Sequence, residues 1–97
     1  MAQRYHFIAV TGDREALLDA LAGALVFPEW FGHNWDALAD CLGDLSWLEA
    51  PGYLLVVEDA RQFHGQSPAT WNIAAEILAQ ACADWQSRNK AFWVLTT

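Results

Sequence analysis

Asp36, Asp40 and Asp44 recur every fourth residue within a stretch that begins Pro28-Glu29-Trp30-Phe31-Gly32-His33-Asn34-Trp35. At ~100° per residue they share one stripe of a helix, and Trp35, Leu38, Cys41, Leu42 and Leu45 share another. The apolar stripe must face a core, so the aspartates face water. Like charges four residues apart cost a helix roughly 0.2–0.5 kcal/mol per pair. Stability gains nothing from stacking them, and Trp30 and Phe31 lie in the loop just before. Concentrated negative charge beside large aromatics suits a cationic partner.

Two other chemistries compete for the same residues. A solvated helix face without function is the plainest. Acid–base catalysis needs two carboxylates in environments that push their pKa values apart, whereas these share one exposed face. A magnesium site needs further oxygen ligands converging from elsewhere. His6, His33 and His64 have no metal-ligand spacing to one another, and His33 reads as a surface residue beside the acidic stripe. No Gly-rich phosphate loop, Ser-His-Asp order or Cys-x-x-Cys occurs. An enzyme, a resident metal and a cofactor are therefore not expected.

The charge distribution points the same way. The net charge is −7, and no lysine or arginine lies between Arg14 and Arg61. That interval holds nine carboxylates, from Glu15 to Asp59. Such a field repels a phosphate backbone, which excludes direct nucleic-acid binding. It attracts a basic protein and speeds encounter. No apolar run is long enough to span a membrane, and the N-terminus lacks the apolar core of a signal peptide. The expected location is the cytoplasm. There Cys41 and Cys82 are expected to be free, not bridged.

The elements that must position the acidic stripe follow from periodicity. With 97 residues and 55% hydrophobic content, residues 1–97 form a single domain. Tyr5 to Val10 reads as a buried strand ended by Thr11-Gly12-Asp13. Asp13 is placed to cap a helix carrying Leu17, Leu18, Leu21, Ala24 and Leu25, which Pro28 stops. Gly32 reads as a turn conformation closed to larger residues. The second helix runs from about Asn34, its cap, to Leu45. Tyr53 to Val57 is a continuous apolar run, as in a strand covered on both faces. Glu58 to His64 reads as a short helical turn with Phe63 inward.

Ser67-Pro68 starts the last helix, with the serine as cap. Its inner face is Ile73, Ile77, Leu78, Ala81 and Trp85, and Arg88 suits its C-terminal dipole. Ala91 to Thr96 is the final strand. Strands separated by helices imply crossovers and a small three-stranded parallel sheet in an α/β sandwich.

The stretch Phe27 to Leu38, continued by Asp40-Cys41-Leu42, resembles the barstar family, intracellular inhibitors of small secreted ribonucleases. An aromatic pair, Gly32, Asn34, Asp36-Ala37-Leu38 and Asp40-Cys41-Leu42 carry the resemblance. The strand Tyr53–Glu58 with Arg61-Gln62-Phe63, and Val94-Leu95-Thr96, extend it over the chain. It implies a barstar-like three-layer sandwich with a three-stranded parallel sheet. It also implies a small basic ribonuclease or nuclease toxin as partner, inhibited by occlusion.

By this resemblance Asp40 is the dominant contact, entering the nuclease site where phosphate would lie, and Asp36 is its companion. Trp30 packs on the nuclease, while Gly32 and Asn34 shape the loop. Asp44 extends the acidic stripe. Ala39 stands where family members often present a large aromatic, which removes contact area and points to a different partner. Trp47 is placed to replace some of that area. Glu76 and Asp84 are the late-helix carboxylates available to join the contact. The alternative function is a barstar-like adaptor for a basic protein that is not a nuclease.

Overall fold

The structure, a computed structural model, describes residues 14–48 and 52–97 in full and the backbone of residues 4–9. In chain order the elements are β1 (Arg4–Ala9), α1 (Arg14–Ala24), α2 (Trp35–Asp44), β2 (Gly52–Glu58), α3 (Ala60–Gln66), α4 (Pro68–Ser87) and β3 (Ala91–Thr96). β2 is the central strand and pairs in parallel with β1 on one side and β3 on the other. Each parallel pairing requires the chain to cross over, and helices make the crossings. The expected end of the first strand at Val10, the break at Thr11 to Asp13 and the Asp13 cap lie outside the described residues.

One face of the sheet carries the core. Tyr53, Leu55 and Val57 of β2 and Phe92 of β3 are buried, packed with Leu17, Leu18 and Leu21 of α1, Leu38 and Leu42 of α2, and Leu78 of α4. Among the described residues the other face is open. Trp93 and Leu95 are each 53% exposed, and Leu54 and Val56 beside them in register are only half-buried. This corrects the expected three-layer sandwich and the strand covered on both faces. In β2 the even and odd residues differ in burial because the strand side chains alternate between faces. An unbroken apolar run hides that alternation.

Helix ends also depart from expectation. α1 stops at Ala24, well before Pro28. Val26 is left-handed (φ 53°), and the Phe27 N–H reaches back to the Ala22 carbonyl at 2.9 Å. That is a Schellman-type ending, in which a β-branched residue accepts a conformation costing about 1–2 kcal/mol. In α4 Ile73 is 42% exposed and Ala74 is buried in its place. Ser67 occupies the N-cap position of α4, but its side chain makes no capping hydrogen bond. α3 begins two residues later than the expected Glu58 to His64, because Glu58 still belongs to β2, and Phe63 is buried as expected.

α2 is fastened at both ends. Asn34 accepts the Ala37 N–H on its Oδ1 at 2.8 Å, which satisfies one of the orphan donors of the first turn. At the other end Leu45 is left-handed (φ 49°) and its N–H is donated to the Cys41 carbonyl at 3.2 Å. Two further carbonyls of the last turn are served from α4 and from the residue that caps its C-terminus. The Trp85 Nε1–H is donated to Leu42 at 2.7 Å and the Arg88 Nη2–H to Gly43 at 2.9 Å. Arg88 also lies 3.9 Å over the Trp85 ring. Arg88 was expected to serve the end of its own helix. It does so only with a long bond from Nε to the Asp84 carbonyl, 3.4 Å, while its closer bond steadies α2.

Two substitutions test this fastening. Asn34→Ala is expected to lower stability by about 1 kcal/mol in urea denaturation, with Asn34→Asp retaining most of it. Trp85→Phe leaves the buried Leu42 carbonyl without its donor, and should cost roughly 1–3 kcal/mol through that loss alone. A Trp85→Phe protein as stable as the parent would show that the bond contributes nothing.

Candidate acidic helix face and its loop

α2 presents Asp36, Ala39, Asp40 and Asp44 to water while Leu38, Cys41 and Leu42 are buried. Trp35 is half-buried and packs against the core. The Asp44 Oδ1 accepts the Ser46 N–H at 3.3 Å. Asp36 in the first turn favours the helix dipole, whereas Asp44 in the last turn opposes it. The guanidinium of Arg88 on Gly43 supplies opposite charge at that end. Burial, and then the negative charge of Asp40 and Asp44, push the Cys41 thiol up. Burial pushes Cys82 up as well. Both are free cysteines, and neither has the depressed pKa of a reactive thiol.

The loop ahead of α2 is built on aromatic packing. Phe31 is buried, with its ring edge-on to Phe27 at 4.9 Å between centroids. Its neighbour Trp30 is 63% exposed. Consecutive loop residues thus point opposite ways, as their crowding suggests. The left-handed conformation expected at Gly32 falls on His33 instead (φ 51°). Glycine matters at 32 for space. A Cβ there would sit 3.1 Å from the Asn34 Nδ2, which is itself donated to the Gly32 carbonyl at 3.3 Å. A side chain at 32 would therefore push against the residue that caps α2. His33 Nε2 lies 2.8 Å from the Asp19 Oδ1, tying the loop to α1 at the surface.

Trp47 is turned partly into the fold. It is half-buried, its Nε1–H is donated to the Leu25 carbonyl at 2.9 Å, and its ring meets Phe27 edge-on. Its polar group is spent inside the fold, where it braces the end of α1 against the segment after α2.

Ala39 opens a cleft. A cavity of about 290 Å³ between α2 and α4 is lined by Ala39, Gly43, Glu76, Gln80 and Asp84, with Ile77 and Ala81 as its apolar part. The structure thus brings the late-helix carboxylates Glu76 and Asp84 to the place where Ala39 lacks bulk. The Gln80 Nε2–H is donated to Asp84 at 3.0 Å, which leaves Glu76 as the freer of the two. Asp36 and Asp40 do not line this cleft. They stand on the helix surface beside it.

Sequence reasoning missed Gln80 and the exposed Val26, 64% accessible on the same loop as Trp30. The missing glycine after α1 was the available signal for Val26. Among the described residues no group of three His, Cys, Asp or Glu side chains converges as a metal site. No helix among them is long and apolar enough to cross a membrane.

No curated protein matches the chain. A family model described as Barstar (barnase inhibitor) matches residues 4–97. That span takes in every element described above, including the capped acidic helix, its aromatic loop and the strands that carry them. The chain belongs to the barstar family.

Proposed function

We propose that this protein is an immunity protein that inhibits a small basic ribonuclease. Its acidic face, Asp36 and Asp40 with Asp44 beyond them, takes the place of substrate phosphate. Trp30 supplies the apolar part of the contact, and Gly32 and Asn34 hold the loop and helix start in shape. The observation that carries the reading is the pairing of two exposed carboxylates on a firmly capped helix with a 63% exposed tryptophan just before it. Membership of the barstar family supports a ribonuclease as the partner class. Protection operates in the cytoplasm, against a toxin made by the same cell or delivered by a neighbour. Trp47 acts through the loop it braces.

The cleft at Ala39 favours a partner whose surface differs from one that meets a large aromatic there. If the partner is not a nuclease, the same face serves an adaptor for another basic protein. Calorimetric titration into a small barnase-like ribonuclease, with RNA cleavage followed in parallel, separates the two. One-to-one binding with loss of cleavage is expected. Asp40→Ala should weaken binding by at least about 2 kcal/mol, the usual hot-spot threshold. Its thermal stability should be unchanged or slightly higher, because a like-charge neighbour at i, i+4 is removed. Normal binding by that variant would displace Asp40 from the contact.

The charge argument has its own test. Raising salt should slow association far more than it speeds dissociation, since screening acts on encounter. Stopped-flow rates across a salt series measure both. An association rate indifferent to salt would remove electrostatic steering from the account.

A further inference from the structure

β3 ends the sheet, and its outer edge is bare of any described partner. The Thr97 N–H is donated to the Val57 carbonyl at 3.0 Å, which fixes the phase of the strand. Residues 93, 95 and 97 turn their backbone groups toward β2, so Phe92, Val94 and Thr96 turn theirs outward. Proteins usually blunt such an edge with charge, proline or a bulge. Residues 91–97 contain no charged residue and no proline. Lys90, just ahead, is drawn away, its ammonium lying 5.1 Å over Tyr53 and 5.6 Å over Trp85.

Both sides of this edge are apolar. On the open sheet face stand Trp93 and Leu95, each half exposed. On the helical face a groove of about 330 Å³ runs between α4 and β3, lined by Trp71, Leu78, Ala79, Cys82, Val94 and Thr96 among others. The two charged side chains of α4, Glu76 and Asp84, both line the cleft toward α2 instead. In a chain of net charge −7 the groove and edge form a neutral band.

The geometry points to a second copy of this chain as the occupant, joined edge to edge through antiparallel β3 strands. Two molecules this acidic repel one another, so they meet where neither carries charge. The strand is also complementary to itself. A two-fold axis at Val94 sets Val94 opposite Val94 and Phe92 opposite Thr96 of the second copy, using all three outward residues as hydrogen-bonded pairs. It sets Trp93 opposite Leu95 of the second copy on the open face, twice, as non-hydrogen-bonded pairs whose side chains lie closest. α2 packs on the opposite flank of α4 from the groove, so both acidic faces stay accessible and the dimer is bivalent.

Sedimentation under reducing conditions tests this, from about 10 µM to about 1 mM, the span in which a small interface associates. The expected mass rises from that of the 10.8 kDa chain toward twice that value. Amide exchange at Phe92, Val94 and Thr96 should slow in step. Leu95→Lys, at an exposed position, should weaken association at least tenfold with an unchanged circular dichroism spectrum. A monomer at every concentration overturns the proposal. So does a dimer whose three outward amides exchange as fast as in the monomer, since it then associates elsewhere. A dimer that forms only without reductant is a Cys82 disulfide, and it also overturns it.

Discussion

The indole N–H of Trp85, buried where α4 meets α2, is donated to the Leu42 carbonyl, and the acidic helix depends on that bond for its position. Trp85 reaches further than α2. Its ring is edge-on to Tyr53 of the central strand at 5.6 Å, and the Tyr53 hydroxyl is donated to the Leu48 carbonyl at 2.8 Å. One aromatic pair thus connects the sheet, the long helix, the acidic helix and the segment that leaves it. With Asn34 closing the opposite end, α2 is held by directed bonds at both termini and by apolar burial between them. A rigid presentation of charge follows, because a helix held this way has few orientations to lose on meeting a partner.

The same helix carries two opposed demands. Its inner residues, Leu38, Cys41 and Leu42, are fully buried. Its outer residues are carboxylates at a spacing that weakens a helix. Packing exceeds this repulsion comfortably, since burial of a leucine contributes about 1.5–3 kcal/mol. Each like-charge pair costs only a fraction of that. The core therefore carries the cost of an arrangement that serves the surface. Substitutions on the outer stripe change the surface charge while sparing the core, whereas those on the inner stripe cut into it.

Much of this was legible in the sequence. The division of α2 into a wet acidic stripe and a dry apolar one follows from angular spacing alone, and Asn34 stood in the sequence as its cap. The short helix with Phe63 inward was equally clear. The faces of the sheet were not. Tyr53 to Val57 reads as uniformly apolar, and only the neighbouring strand decides which side is covered. The end of α1 was hidden because Val26 adopts a conformation that its residue type disfavours. Gly32 was identified as special for the wrong reason. Its value lies in room for Asn34, a contact between near neighbours that propensity cannot show. Trp47 and Arg88 likewise act across the chain, where local pattern carries no information.

The topology makes the placement of α2 depend on strands far from it in sequence. The central strand is flanked on one side by β1, from the beginning of the described chain, and on the other by β3, from its end. β3 supplies the buried Phe92, whose ring meets Tyr53. Without β3, Tyr53, Trp85 and the long helix have no complete sheet to rest on. A properly mounted α2 is therefore a property of the assembled sheet, not of the helix and its loop alone.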